Sequence, residues 1–215
     1  LDMKLYGYWR SSAAYRVRVA LHLKGLAFES IPVHLVKDGG EQHKPAYTKL
    51  NSTHLVPTLV DEDVILHQSI AIIEYLDDKF PEVAIYPKDI ADKAKVKALA
   101  LDVACEIHPV NNLRVQQYLV KSLSVQERDK LAWSHHWMNI GFVAVEQQLK
   151  VNAGRYCFGD NITMADICLV PQVYNAKRFN LDMTEFPNIC RITDNCNQHP
   201  AFIAALPENQ ADAQL

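Results

Sequence analysis

The chain has 215 residues, of which 49% are hydrophobic, enough for one large domain or two small ones with buried cores. Lysine and arginine total 22 against 25 aspartate and glutamate, so the formal net charge is −3. A mildly acidic chain argues against general binding to nucleic acid or to a membrane surface. No apolar run reaches the ~18 residues of a membrane helix. We therefore expect neither nucleic acid nor membrane as a partner.

Cysteine usage indicates the redox compartment. The chain has five cysteines, an odd number, and no pair of them has C-x-x-C spacing. This pattern is typical of a reduced, cytoplasmic protein. No residues have metal-ligand spacing, and the adjacent His135 and His136 would point in different directions on a helix. We expect no metal site.

The first 80 or so residues alternate between strand and helix patterns. Strands are predicted for residues 4–8, 28–33, 58–60 and 64–66, and helices for residues 12–24 and 68–79. The order is βαβ, then a variable polar segment, then ββα. We predict an α/β domain over residues 1–82 that contains every predicted strand.

A segment with Pro81 and Pro87 reads as a linker, and strand patterns vanish beyond it. Helices are predicted for residues 90–120, 124–151, 163–178 and 187–197. The third of these helices starts at Thr163, where Asp166 completes a sequence typical of a capping box. The second half, residues 88–215, is therefore predicted to be an all-α domain.

Ser11 and Ser12 lie between the first predicted strand and the first predicted helix. Free N–H groups and the positive end of the helix dipole favour an anion or a thiolate at such a point. A hydroxyl pair there can hold either group. The alternative is that one serine only caps the helix.

Two further segments offer complementary binding groups. A cis peptide before Pro57 would direct the Val56 backbone outward to pair with an extended peptide, although Pro57 could equally be an ordinary strand-entry proline. Ser69 can cap the next helix and hydrogen-bond a carboxylate, with Gln68 beside it. Sites for a thiolate, a peptide backbone and a carboxylate together match the parts of glutathione.

Several motifs resemble the zeta class of the cytosolic glutathione transferases over residues 3–210. They are Ser11-Ser12-x-x-Tyr15-Arg16-Val17-Arg18-Val19-Ala20-Leu21, Val56-Pro57-Thr58-Leu59, His67-Gln68-Ser69-x-Ala71-Ile72-Ile73-Glu74-Tyr75-Leu76, Gly159-Asp160-x-x-Thr163-Met164-Ala165-Asp166 and Val170-Pro171-Gln172-Val173, followed by Pro187. The resemblance implies a thioredoxin-like domain followed by a helical bundle, glutathione as cofactor and a homodimer. Where the family has Ser-Ser-Cys, this chain has Ala13 at the third position. The family cysteine therefore cannot act here, and the serine hydroxyls must take its place.

The resemblance also implies site residues, position by position. The glutathione-binding positions are Ser11, Ser12, Gln42, Val56, Pro57, Gln68, Ser69, His108 and Asn112. Ser11 would hydrogen-bond the thiolate with Ser12 alongside it, and both are expected to be catalytic together with Arg10. Considered without the resemblance, His108 would be no more than a neighbour of the helix-kinking Pro109.

Three arginines match substrate-pocket positions of bacterial relatives: Arg10, Arg114 and Arg178. Arginine binds carboxylates through two hydrogen bonds, which suits a small dianionic keto acid. We also expect Arg16 to be able to lie near the site, one turn from Ser12, and Arg18 to be structural or solvated.

The resemblance implies glutathione-dependent cis–trans isomerisation of maleylacetoacetate to fumarylacetoacetate, a step of tyrosine and phenylalanine catabolism, by reversible thiolate addition. Three alternatives stay open: isomerisation of maleylpyruvate, transferase activity on small α-halo acids, and a non-catalytic glutathione-binding protein. The alanine at position 13 is the one feature that favours the last of these.

Overall fold

A computed structural model describes residues 2–214 of the chain, which divide into two compact units. The first unit comprises the residues up to Ala84 together with those from His199 onward, and the second runs from Ile85 to Gln198. Residues 1 and 215, which end the two predicted domain ranges, lie outside the described residues.

The first unit contains a four-stranded mixed sheet. Its strands are β1 (Met3–Gly7), β2 (Glu29–Pro32), β3 (Thr58–Asp61) and β4 (Val64–His67), in the order β2-β1-β3-β4. β1 runs parallel to β2 and antiparallel to β3, and β3 and β4 form a hairpin. This confirms the predicted α/β fold of thioredoxin-like type.

Three helices complete the N-terminal part of the first unit: α1 (Ser12–Leu23), α2 (Pro45–Thr48) and α3 (Ser69–Lys79). The core lies where α1 and α3 meet the sheet, and its fully buried side chains include Val17, Leu21, Leu59, Ile73 and Leu76. These residues follow the helical and alternating spacing expected for one buried face. The predicted strands and helices agree with the four strands, α1 and α3 to within two residues at each end, whereas α2 lies in the polar segment and was not predicted.

A buried lysine closes one end of this core. The Lys24 side chain is 1% exposed and follows directly after α1. Its Nζ donates to Asp77 Oδ1 at 2.7 Å, to the Phe80 carbonyl at 2.9 Å and to the Val83 carbonyl at 2.6 Å. All three ammonium protons therefore have acceptors, as a buried charge requires.

The C-terminal segment belongs to the first unit. Helix α9 (Pro200–Ala205) packs on α1 and buries Phe202 and Ala205. The division thus differs from the predicted range of 88–215 for the helical domain. No helix was predicted for this segment, because six residues are too few to show a helical apolar period.

The second unit is built from helices: α4 (Ile90–Leu101), α5 (Leu113–Lys121), α6 (Glu127–Asn152), α7 (Met164–Arg178) and α8 (Pro187–Cys196). No β-strand forms within residues 85–198, and one isolated bridge joins Ala153 and Gly159. This confirms the predicted helical fold. Across residues 2–214, no helix combines the length and apolar composition needed to cross a membrane.

The prediction of a single helix over residues 90–120 is wrong. After α4 the chain forms a π-helix (Asp102–Ile107) and a 3-10 turn (Pro109–Asn111) before α5 begins. Pro109 has no N–H and its ring collides with the preceding helical turn, so a regular helix cannot continue through it. As a consequence, His108 and Arg114 lie on different elements.

The predicted capping box at the start of α7 is confirmed. Thr163 Oγ1 accepts from the Ala165 N–H, and Asp166 Oδ2 accepts from the Thr163 N–H at 2.9 Å. The other oxygen of Asp166 accepts from the Cys157 N–H at 2.9 Å. Burial raises the pKa of Asp166, although these N–H groups act in the opposite direction. Asp166 therefore joins the loop before α7 to the helix itself.

Candidate active site

Ser11 lies at the N-terminus of α1, in a turn that follows β1. Its N–H donates to the Tyr8 carbonyl at 2.9 Å, and its Oγ accepts from the Ala14 N–H at 3.1 Å. Ser11 is thus the N-cap of α1. Capping occupies a lone pair of the hydroxyl and leaves its proton available to donate. Ser11 can therefore cap the helix and bind an anion at the same time.

The neighbours of Ser11 differ from it in exposure. Ser11 and Ala13 are half-buried, whereas Ser12 is 5% exposed. Arg10 is exposed, and its guanidinium lies 4.2 Å from the centre of the Trp9 ring. Of the two serines, Ser11 is the more accessible to a ligand.

The peptide bond between Val56 and Pro57 is cis, as one of the two interpretations of this segment expects. A hydrogen-bond network supports this loop. The hydroxyl of Tyr47 and Nδ2 of Asn51 both donate to the Leu55 carbonyl, the latter at 3.0 Å. Burial raises the pKa of Tyr47, so this hydroxyl stays protonated and keeps its role as donor.

Two groups near this loop have unused hydrogen-bonding capacity. Neither backbone group of Val56 has a partner among residues 2–214. Gln42 is 7% exposed and donates from Nε2 to the Leu35 carbonyl at 3.1 Å. Its Oε1 is buried and has no partner within the part of the chain that the structure describes. Orphaned polar groups of this kind indicate a bound ligand or water.

Helix α3 begins at Ser69 and its N-cap residue is Gln68, so the expectation that Ser69 caps the helix is wrong. Gln68 is exposed and has a backbone φ of +70°, a left-handed conformation that is strained for a residue with a side chain. Ser69 is 4% exposed, and its Oγ accepts from Nη1 of Arg16 at 3.2 Å. The hydroxyl proton of Ser69 stays available to donate to an anion at the N-terminus of α3.

The sheet brings these segments together at one end of its strands. Tyr6 of β1 pairs with Thr58 of β3, which in turn pairs with His67 of β4. The end of β1, the start of β3 and the end of β4 therefore lie side by side. The turn before Ser11, the Val56 loop and the start of α3 all emerge from this end of the sheet.

The other predicted site residues lie in the second unit. His108 follows the π-helix and is half-buried, and Asn112 caps α5 by accepting from the Leu113 N–H at 2.9 Å. Arg114 is exposed in the first turn of α5. Arg178 is exposed at the end of α7, with its guanidinium 4.7 Å from the Phe179 ring centre.

Helix α6 holds the irregular segment that carries His108 and Asn112. Trp133 Nε1 donates to the Val110 carbonyl at 2.7 Å. A Cβ on Gly141 would lie 2.2 Å from the Ile107 side chain, so only glycine permits this close approach. The segment is therefore fixed on both sides of His108.

Some site residues were missed or only partly foreseen from sequence. Arg16 was expected to be able to lie near the site, and it is buried and donates to the hydroxyl of Ser69. Tyr47 and Asn51 carried no recognisable signal, because they act through backbone groups of a distant loop. Arg18 is buried and donates to backbone carbonyls, in agreement with the expectation that it could be a structural residue.

Comparisons with known proteins identify the family. Residues 1–78 match the N-terminal domain of glutathione S-transferase, and residues 141–200 match its C-terminal domain. A protein from Vibrio cholerae named "Probable maleylacetoacetate isomerase" is 50% identical over 213 residues, covering 99% of each chain. The chain therefore belongs to the glutathione transferases, in their zeta class.

Solved structures agree closely with this fold. The holo structure of a maleylpyruvate isomerase, described as a bacterial glutathione S-transferase of the zeta class, has a TM-score of 0.95 at 43% identity and covers 98% of this chain and 100% of its own. A maleylacetoacetate isomerase from Methylobacterium extorquens AM1, solved with bound malonate and GSH, has a TM-score of 0.94 at 35% identity. The latter covers 99% of this chain and 100% of its own.

Proposed function

We propose that this protein is a glutathione-dependent isomerase that converts maleylacetoacetate to fumarylacetoacetate. The observation that carries the proposal is the Ser11 hydroxyl at the N-terminus of α1, at the same end of the sheet as Val56 and Ser69. The Vibrio cholerae relative, 50% identical to this chain, supports the choice of reaction.

The first unit has groups that fit each part of glutathione. The backbone of Val56 beside Pro57 would pair with the peptide, and the Ser69 hydroxyl would bind the γ-glutamyl carboxylate with Gln68 beside it. The buried Oε1 of Gln42 offers a further acceptor. When bound, glutathione supplies a thiolate that adds reversibly to a conjugated cis double bond.

Ser11 has the central chemical role. Its hydroxyl donates to the sulfur while its oxygen continues to cap α1. A hydrogen bond to the charged form of a thiol and the positive end of a helix dipole both lower the thiol pKa. Ser12, next along the helix, reinforces this electrostatic environment. Because Ala13 stands in place of a cysteine, the serine hydroxyl groups and the N-terminus of α1 are the groups that lower the pKa of the glutathione thiol.

Positive charge selects the substrate. Arg10, Arg114 and Arg178 are exposed guanidinium groups that we assign to the carboxylates of a small dianionic keto acid. They would also stabilise negative charge that develops on the substrate carbonyl. The malonate in the Methylobacterium extorquens isomerase, itself a dicarboxylate, is consistent with such a site. As the resemblance to the zeta class implies, we assign His108 and Asn112 to glutathione binding.

Maleylpyruvate is a second candidate substrate, because the maleylpyruvate isomerase structure matches with a TM-score of 0.95. The test is turnover of freshly prepared maleylacetoacetate and maleylpyruvate, each with and without glutathione. Strictly glutathione-dependent formation of fumarylacetoacetate, faster than that of fumarylpyruvate, is the expected result. A reversed ratio would name maleylpyruvate as the substrate, and no turnover of either would refute the isomerase.

We also propose a cytoplasmic homodimer. Val64 and Ile65 on the edge strand β4 are 38% and 48% exposed, and uncovered apolar residues on an edge strand favour association with another chain. All five cysteines are free thiols, which suits a reducing compartment. Light scattering of the native protein and of Ile65→Lys would test the dimer, since the substitution is expected to yield monomers.

A further inference from the structure

The turn that precedes Ser11 is held by the C-terminal segment of the chain. Trp9 lies in this turn, and its backbone N–H donates to Oδ2 of Asp212 at 3.1 Å. Its carbonyl accepts from Nη2 of Arg18 at 3.0 Å. Both backbone polar groups of Trp9 are thus occupied, two residues before the hydroxyl assigned to the thiol.

Arg18 connects the turn to α9. Its side chain is 3% exposed, and its Nε donates to the carbonyl of Ala205, the last residue of α9, at 3.1 Å. A cation at the C-terminus of a helix also interacts favourably with the helix dipole. The same guanidinium therefore caps α9 and holds the Trp9 carbonyl, so the position of the turn depends on α9.

The tail beyond α9 has its own anchors, which place Asp212. Gln210 donates from Nε2 to the carbonyls of Ala204 and Leu206 at 2.9 and 2.8 Å. Asn209 donates to the Ile203 carbonyl at 2.7 Å. These bonds satisfy exposed carbonyls of the last helical turn. The tail then turns back and carries the Asp212 carboxylate to the Trp9 N–H.

We propose that Asp212 and Arg18 are positioning residues, which fix the Trp9 backbone and through it the place of the Ser11 hydroxyl and of the Arg10 guanidinium stacked on the Trp9 ring. Neither residue touches glutathione or substrate in this account. The inference rests on the proposed role of Ser11 in activating the thiol. It extends the site to a segment some 200 residues away in the chain.

The test compares Asp212→Ala with Gln214→Ala. Both variants remove a polar side chain of the tail that has a hydrogen-bond partner, which for Gln214 is Nε2 of His34 at 3.2 Å, but only the first removes a bond to Trp9. Two quantities are measured: hydrogen exchange of the Trp9 amide by NMR without ligand, and the thiol pKa of bound glutathione from thiolate absorbance. We expect Asp212→Ala to speed Trp9 exchange about tenfold relative to Gln214→Ala, and to raise the thiol pKa by about 0.5 unit.

Two further variants separate the possible outcomes. Asp212→Asn retains an acceptor oxygen and is expected to restore both quantities. Ser11→Ala is the reference for the thiol pKa, and an unchanged value there would refute the role proposed for Ser11 itself. Equal Trp9 exchange in the Asp212→Ala and Gln214→Ala variants would overturn the positioning inference. So would an unchanged thiol pKa in Asp212→Ala when Ser11→Ala raises it.

Discussion

Arg16 of α1 donates from its guanidinium to the hydroxyl of Ser69, the first residue of α3, at 3.2 Å. Arg16 is 2% exposed, so its positive charge lies beneath the N-terminus of α3 instead of in solvent. The two helix N-termini assigned to the thiol and to the γ-glutamyl carboxylate are therefore joined through one side chain. A charge in this place favours an anion on Ser69.

Arg16→Met is expected to weaken glutathione binding about tenfold, since a hydrogen bond that involves a charged group contributes about 1.5–3 kcal/mol. Methionine preserves much of the buried volume, so the fold should remain intact. Calorimetric titration with glutathione measures the affinity. Ser69→Ala provides the second arm of a double-mutant cycle, and additive losses in the double variant would contradict the link between the two residues.

Gln68→Gly separates stability from binding. The backbone φ of +70° at Gln68 costs a residue with a side chain about 1 kcal/mol or more, which glycine does not pay. We expect the variant to be more stable in urea unfolding yet to bind glutathione more weakly. Glu62→Gly is the matched control, because Glu62 has a φ of +53° in the β3–β4 hairpin. That control should gain stability with unchanged affinity, and weaker binding in both variants would refute the assignment of Gln68.

Tyr47→Phe tests the support of the cis-proline loop. It removes the hydroxyl that donates to the Leu55 carbonyl and contacts Thr58 Oγ1 at 2.7 Å. We expect a loss of about 1–2 kcal/mol in the free energy of unfolding, together with weaker glutathione binding because Val56 is displaced. Tyr6→Phe is the control, since the Tyr6 ring lies beside Tyr47, with ring centres 6.2 Å apart, and outside this network. Equal behaviour of the two variants would argue against the network.

Asp61 should make the stability depend on pH in the acid range. Burial alone would raise the pKa of Asp61, but donation from Lys79 at 2.6 Å and Tyr75 at 2.8 Å outweighs it and holds the pKa below its ordinary value of 3.8. The contribution of this carboxylate is therefore complete above that value and disappears as the pH falls further. In urea unfolding, the deficit of Asp61→Asn should be constant from neutral pH to about pH 5 and shrink below about pH 4. A deficit that stayed constant down to pH 3 would contradict this.

Much of the site could be predicted because its chemistry depends on local geometry. A serine pair between a strand and a helix must lie near free N–H groups, and this reasoning placed Ser11 correctly as the N-cap of α1. The same reasoning was wrong for Ser69, because Gln68 is the N-cap of α3 and Ser69 is its first helical residue. The cis peptide before Pro57 and the capping box at Thr163 are likewise properties of a few consecutive residues.

What could not be predicted depends on contacts between distant segments. The break between α4 and α5 was missed because apolar residues continue at helical spacing across Pro109. The spacing of the apolar residues does not distinguish the π-helix from an α-helix. Helix α9 and its packing on α1 were missed because the six residues of this helix are too few to show a helical apolar period. The bonds from Asp212 and Arg18 to Trp9 depend on that packing, so they were also beyond sequence reasoning.

The most direct test of the account compares Ser11→Ala with Ser12→Ala in glutathione-dependent turnover of maleylacetoacetate. Ser11 is half-buried with its proton available, whereas Ser12 is 5% exposed, so the two variants should differ. Ser11→Ala is expected to lower turnover about tenfold or more, as removal of one donor to developing negative charge commonly does, with a much smaller loss for Ser12→Ala. Equal and near-normal turnover in both variants would contradict the claim that Ser11 activates the thiol.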